Sequence, residues 1–334
     1  MSSSTSSSDP RWGGFGRTFL LAATFLVAAL LALAFLVDPY DSGRSPLKFK
    51  AGVSPQGPRT AAASRGRDPH FSGAIFGNSH IQLVSPELLA QKTGIPFVSL
   101  IAPATGPRET LILLDWFLRH RKEPARALVI GIDVRWCTPD PTLAIEKPFP
   151  FWLFERSTLR YLAGLMRFDV IEETLRRLRY LSAKAPERAR PDGYWDYEAG
   201  YEVQGFHSDP VRRARLLEPL DTSGGNITGP FPAATALREV LGRMAPDVPV
   251  VLVRPPNFVS ALPVPGSAGA GADAACRDAY AALVASRPKT ALIDWRIDRP
   301  ENRAPDNYFD HTHYRQKIAG PLGADIAEAI IGLR

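Results

Sequence analysis

Between residues 72 and 294, five short runs are dominated by apolar side chains: Ser72–Phe76, Pro96–Leu100, Ala127–Ile132, Val248–Val253 and Thr290–Asp294. Their Val, Ile and Leu follow one another without polar alternation, the pattern of strands covered on both faces of a parallel sheet. Helical patterns separate them. Ser85-Pro86-Glu87 supplies an N-cap, a first-turn proline and a first-turn acid, opening Leu88–Lys92. Arg108–Arg121 places Leu111, Leu114 and Leu118 on one face, and Tyr314–Gly332 closes the chain as an amphipathic helix. Strands alternating with helices predict an open three-layer α/β/α parallel sheet over residues 71–334. The rhythm breaks at residues 139–246, which hold an aromatic loop (Phe149-Pro150-Phe151-Trp152), an Arg-rich stretch (Ile171–Lys184) and a Gly/Tyr-rich segment (Gly193–Gly205). An insertion of that length either shapes a substrate surface or caps the fold without binding anything. Residues 261–272, rich in Pro, Gly and Ala, read as a flexible loop.

The longest apolar run lies elsewhere. Thr18 to Val37 carries no charge over twenty residues and is framed by Arg17 and Asp38, a length that matches bilayer hydrocarbon. It is expected to be an uncleaved transmembrane anchor; cleavage after Ala32-Leu33-Ala34 is the alternative. Residues 1–17 are expected to form a disordered tail and residues 38–70, with Pro, Gly, Ser and scattered charge, a tether to the large domain. Arg44, Lys48, Lys50, Arg59, Arg65 and Arg67 follow the span against Arg11 and Arg17 before it, yet long domains translocate largely regardless of charge. The expected arrangement is a single-pass cell-membrane protein with its large domain outside the cytoplasm, in a periplasmic space.

The formal charge of +6 changes this picture little. Eight of the 40 basic and four of the 34 acidic side chains fall in residues 1–70, so the remainder of the chain is nearly balanced. No helix-turn-helix, zinc-finger or aromatic RNA-binding pattern accompanies the charge, and nucleic-acid binding is not expected. Cys137 and Cys276 fit one disulfide or two free thiols, the latter being the plainer reading. No spacing suggests a metal site, and no cofactor is expected.

Two motifs at opposite ends of the α/β region carry the candidate chemistry. Gly77-Asn78-Ser79-His80 follows the first predicted strand, where a glycine permits a tight turn and a serine reaches the sheet edge at which open parallel sheets gather function. Asp310-His311-Thr312-His313 precedes the last predicted helix and spaces an acid three residues from an imidazole. A serine hydroxyl needs a base to become a nucleophile, and a base needs an orienting acid. Ser79, His313 and Asp310 are the three parts of such a site. The structural alternative is a capping serine in a turn and a surface histidine.

On these residues the chain from Phe71 to Arg334 resembles the SGNH (GDSL-like) hydrolase superfamily. Gly77-Asn78-Ser79 resembles its first motif, with Asn where Asp is usual, and Asp310-His311-Thr312-His313 resembles its closing Asp-x-x-His motif, which selects His313 over His311 as base. The anchor further resembles membrane-bound members grouped with alginate O-acetylation and teichoic-acid D-alanylation. The resemblance implies an esterase or O-acyltransferase acting through a Ser79 acyl-enzyme, with acetyl as the acyl group, on an acylated glycan or lipid-linked carbohydrate. It also implies an oxyanion-binding glycine after the second strand, for which Gly106, or the N–H of Ala104, stands here. The third motif, Gly-x-Asn, appears as Gly131-Ile132-Asp133. An ionised Asp133 has no donor to offer an oxyanion. Either burial protonates it, another donor such as Asn257 substitutes (a plain turn asparagine being the simpler reading of that residue), or the site is weak. Asp133 is expected to hold loops together or pair with Arg135. His80 is expected to point away from Ser79, and Arg108 and Glu109 to be solvated helix-end charges. The competing reading is a catalytically inactive, membrane-anchored binding or assembly protein. No pair of carboxylates suggests a glycosidase.

Overall fold

The computed structural model describes residues 10–53, 57–145, 147–182, 190–205, 208–222 and 225–334. Five strands, β1 (Gly73–Gly77), β2 (Phe97–Ile101), β3 (Ala127–Gly131), β4 (Val250–Arg254) and β5 (Thr290–Asp294), lie within two residues of the predicted runs. They form one parallel sheet in the order β2-β1-β3-β4-β5. Among the described residues the α-helices are α1 (Pro10–Val37), α2 (Pro58–Arg67), α3 (Pro86–Thr93), α4 (Pro107–Arg119), α5 (Phe151–Phe154), α6 (Thr158–Leu165), α7 (Phe168–Leu181), α8 (Glu198–Val203), α9 (Pro210–Leu217), α10 (Pro232–Gly242), α11 (Ala268–Ala285), α12 (Pro300–Arg303) and α13 (Gln316–Gly332).

Strand periodicity sends alternate side chains to opposite faces. Ala74, Phe76, Leu128, Ile130, Val250 and Leu252 join the core under α2, α4, α10 and α11. Ile75, Val129, Val251 and Val253 join the core under α3 and α13. At about 25 cal/mol per Å² of apolar surface, two buried layers are the main stabilising term. Local signals act as expected at α3: the Ser85 hydroxyl accepts from Leu88 N–H at 3.2 Å, and Gly94 ends the helix in the left-handed region at φ +68°. In α4 the core stripe is Thr110, Leu113, Leu114 and Phe117, so Leu111 and Leu118 are only partly covered. The bulkier Trp116 and Phe117 rotate the expected leucine face away from the sheet.

Residues 38–70 correct the expectation of a tether. Asp38, Tyr40, Asp41 and Ser42 are buried, and α2 lays Ala61, Ala62 and Ala63 into the core. The cause is a polar knot that composition conceals. Asp38 accepts from the Ser42 N–H and hydroxyl (2.8 and 2.9 Å) and from Gly43 N–H (2.7 Å). Asp41 accepts from Ser64 Oγ (2.6 Å), Gly52 N–H (2.9 Å) and Arg67. The nearly buried Arg177 of α7 donates to the Lys50 carbonyl at 2.7 Å and to that of Gly52. Short alanines then let α2 approach the sheet without an obvious apolar stripe. The helix of the apolar run is also longer than expected: α1 begins at Pro10, inside the predicted disordered tail.

The insertion is shorter than predicted, because α10, with Ala233, Leu237 and Leu241 buried, is the crossover helix between β3 and β4. One stretch of the excursion covers a sheet edge. Asp192 accepts from the Ser99 N–H of edge strand β2 at 2.7 Å. Gly193 is required beside it: at φ +74°, an added Cβ would lie 2.3 Å from the Ser99 carbonyl oxygen. Part of the predicted loop 261–272 belongs to α11, whose N-cap is Ser267.

Cys137 and Cys276 are joined, correcting the free-thiol reading, and the bond ties the turn after β3 to α11. Replacing both cysteines by serine is expected to lower unfolding free energy by about 2–5 kcal/mol, measured by thermal or denaturant unfolding; unchanged stability would contradict a structural role.

Candidate active site

The chain reverses direction across the sheet after β2, so β1 and β3 flank the point where their crossovers diverge. A crevice opens beyond the carboxyl ends of strands at such a point. Ser79 begins a 3-10 turn, Ser79–Ile81, directly after β1. Asn78 caps that turn by accepting from His80 N–H at 3.0 Å. Gly77 has φ +149°, and a Cβ there would meet Ile81 Cγ2 at 2.7 Å, so no larger residue fits the turn.

His313 reaches Ser79 from the other end of the chain. Its Nε2 lies 2.9 Å from Ser79 Oγ, and its Nδ1 lies 2.8 and 3.0 Å from the two Asp310 oxygens. With an ionised Asp310, Nδ1 carries the proton and donates, leaving Nε2 to accept from the serine hydroxyl. Asp310 Oδ1 also accepts from the N–H groups of Thr312 and His313, both at 2.9 Å. A bridge between Tyr308 and Tyr314 closes this loop, and Phe258 N–H donates to the His311 carbonyl at 2.9 Å. Burial by itself would raise the Asp310 pKa, but the His313 hydrogen bond and charge and the two backbone donors outweigh it and hold the carboxyl well below its ordinary value.

Three rings wall the base. Tyr197, Tyr201 and His80 stand edge-on, with centroids 5.6, 5.9 and 5.4 Å from that of His313. Burial raises the Tyr197 pKa far above its ordinary value, so the phenol stays neutral and donates to the Tyr314 carbonyl at 2.7 Å. Glu198 of α8 binds Arg315 and Gln316 N–H at 2.8 and 2.6 Å, fixing the start of α13. The Gly/Tyr-rich part of the insertion therefore shapes the site. Its aromatic content was visible in the sequence; its partner was not.

The expected oxyanion positions are placed differently from one another. Gly106 N–H donates to Glu109 Oε2 at 3.0 Å and is thereby engaged in the N-terminal cap of α4. Glu109 is fully buried, which corrects its reading as a solvated charge; Arg108 is exposed and lies over the Phe151 ring. Ala104 occupies the left-handed region at φ +54°, a conformation a non-glycine residue adopts at a cost of about 1–2 kcal/mol. Asn257 is buried and lines a cleft of about 980 Å³ together with Val134, Thr138, Asn226, Arg296 and Thr312. That cleft runs from the residue beside His313 toward the disulfide.

Asp133 is a strut. Its Oδ1 accepts from Arg135 N–H at 3.0 Å, and its Oδ2 lies 2.6 Å from Asn78 Nδ2 and 3.2 Å from His80 Nδ1. Asn78 Nδ2 also donates to the Thr105 carbonyl at 2.9 Å, so one amide links three loops. Loop-holding was expected of Asp133. The partner differs: Arg135 contributes its backbone N–H, while its guanidinium turns to the Thr105 carbonyl at 3.3 Å. His80 was expected to point away, but the tight turn rotates it onto Asp133. Burial opposes ionisation of Asp133; the His80 hydrogen bond and charge, the Asn78 amide and Arg135 more than offset this and lower its pKa.

No protein-family model matches this chain, and no curated protein matches it. What it can do therefore rests on the geometry above. A hydroxyl, an imidazole and a carboxylate in hydrogen-bonded series can attack an electrophilic carbon and shuttle the displaced proton. Among the described residues no group of His, Cys, Asp and Glu is arranged to hold a metal ion.

Asp133→Asn would set an amide N–H against the Asn78 or His80 donor, with an expected loss of about 1–3 kcal/mol of stability and no gain in esterase turnover. Unchanged stability with sharply higher turnover would contradict the strut. Because folding depresses the Asp133 and Asp310 pKa values, each contributes stability that is complete above the unfolded value of about 3.9 and is lost as pH falls through the folded value. Acid titration of unfolding stability should therefore decline below about pH 4, and less steeply in Asp133→Asn.

Proposed function

We propose that this protein is a membrane-anchored serine esterase or O-acyltransferase of the SGNH type, acting on an acylated carbohydrate of the cell envelope. The observation that carries the reading is the series Ser79 Oγ, His313 Nε2, His313 Nδ1, Asp310 Oδ2, with both heavy-atom contacts under 3 Å. Ser79 Oγ attacks the ester carbonyl carbon while Nε2 takes its proton. The tetrahedral adduct collapses, the C–O bond to the alcohol breaks, and the imidazolium returns the proton to the leaving oxygen. Water or a second sugar hydroxyl then attacks the acyl-enzyme, again losing its proton to His313 and releasing Ser79. Hydrolysis and transfer use the same groups and differ only in the acceptor.

The cleft supports a carbohydrate. Its lining combines apolar surface with the polar residues Thr138, Asn226, Thr228, Asn257 and Arg296, a mixture that suits a sugar ring. The placement of the domain outside the cytoplasm draws on two further features. Trp12–Val37 is long and apolar enough to cross a membrane, and the Cys137–Cys276 disulfide suits an oxidising compartment.

The oxyanion is where a second reading gains weight. Asp133 presents only acceptors and Gly106 N–H is already engaged, and each missing donor costs about 2.7–4 kcal/mol of transition-state stabilisation. The Ser79 and Ala104 N–H groups and the Asn257 amide are the donors assigned here. Were they insufficient, the same scaffold would serve as a binding protein.

Hydrolysis of a chromogenic acetyl ester by the full-length chain separates the two. Ser79→Ala and His313→Ala are each expected to reduce turnover by at least about 10³-fold and Asp310→Asn by about 10²–10⁴-fold. Equal rates in the parent and all three variants would favour the binding protein.

A further inference from the structure

Helix α7 buries one stripe in the fold, and a second, apolar stripe is left exposed among the described residues. Val170, Thr174, Arg177 and Tyr180 face inward and are buried. Phe168, Ile171, Leu175 and Leu178, spaced three, four and three residues apart, fall on a second face that is exposed, Phe168 at 86 %. Leu159 on α6 (78 %) and Met166 in the α6–α7 link (65 %) are exposed as well. Charged Asp169, Glu172, Arg176 and Arg179 lie on neither stripe. An amphipathic helix whose spare apolar face is segregated from its charges suits a water–lipid boundary.

The position of α1 says what covers that face. Leu31, Ala34 and Phe35, in its last turns, pack into the core that includes α6 and α7. The joint is rigid: Ser42 Oγ lies 3.3 Å from the Tyr161 hydroxyl of α6, and Arg177 of α7 holds the carbonyls of Lys50 and Gly52. Arg17 keeps the other end of the apolar run at an aqueous boundary, and a bilayer's hydrocarbon of about 30 Å takes some twenty helical residues. Counted from Thr18, that thickness ends at Val37. The turns that pack against α6 and α7 therefore lie within the leaflet, and their neighbours lie at the same depth.

We propose that α6 and α7 form an in-plane membrane element, with the second stripe of α7 buried at the boundary between headgroups and acyl chains beside the span. The occupant is lipid. The domain is thus seated on the bilayer in one orientation, and its cleft is presented to substrates held at that surface. This rests on the reading of α1 as a membrane span, and the test separates the two.

The full-length chain, its native disulfide intact, is reconstituted in phosphatidylethanolamine–phosphatidylglycerol vesicles with one spin label at Phe168→Cys, Leu175→Cys, Leu26→Cys in α1, or Arg277→Cys on the exposed side of α11. Collision with oxygen, which partitions into lipid, is compared with collision with a water-soluble nickel chelate. Labels at 168 and 175 are expected to show an oxygen-to-nickel ratio at least about fivefold above that at 277. A lipid-like label at 26 with water-like labels at 168 and 175 would overturn the in-plane element and leave the span standing. Labels at 168 and 175 shielded from both reagents would also overturn it, since protein would then cover the stripe. A water-like label at 26 would remove the span and the element together.

Discussion

The contact between His313 Nε2 and Ser79 Oγ joins side chains 234 residues apart, and most of the α/β architecture can be understood as what makes that contact possible. A nucleophile at the end of β1 is fixed by pairing with β2 and β3 on either side. The base sits on a loop that no strand fixes directly. It is held instead by the Tyr308–Tyr314 bridge, the Phe258–His311 hydrogen bond and the capping of α13 by Glu198. A displacement of about 1 Å at such a site is enough to cost two orders of magnitude in rate, which explains why several independent ties converge on one short loop.

Around the nucleophile, polar groups do the work that apolar packing does under the sheet. Asp133, in the turn after β3, spends its acceptors on Arg135, Asn78 and His80. The arrangement fixes the loops that follow β1, β2 and β3 relative to one another, because Asn78 passes the connection on to Thr105. The Asp133 acceptors are engaged in holding these loops, and the chain commits that residue to rigidity.

Strands were legible because burial on both faces leaves uninterrupted Val, Ile and Leu, and α3 was legible because Ser85, Pro86 and Gly94 act within a few residues of each other. The meeting of Ser79, Asp310 and His313 was legible because two short motifs, each beside an element boundary, hold residue types that pair in series. Residues 38–70 were not. Their stability draws on Asp41, Arg67 and Arg177, charged residues whose pairing across 26 to 136 positions leaves no local pattern. The same holds for Glu109 and His80, whose burial depends on a cap and on a turn, and for the disulfide, which needs β3 and α11 to be neighbours first. Periodicity reports what a segment buries. It is silent about which polar groups meet.

The central claim is that His313 activates Ser79 toward an acyl carbon. Labelling the full-length chain with a fluorophosphonate, which phosphonylates only an activated serine, and locating the adduct by peptide mass spectrometry tests it most directly. The account predicts modification at Ser79 that is abolished in His313→Ala. An unlabelled Ser79, or labelling that persists without the imidazole, would contradict it.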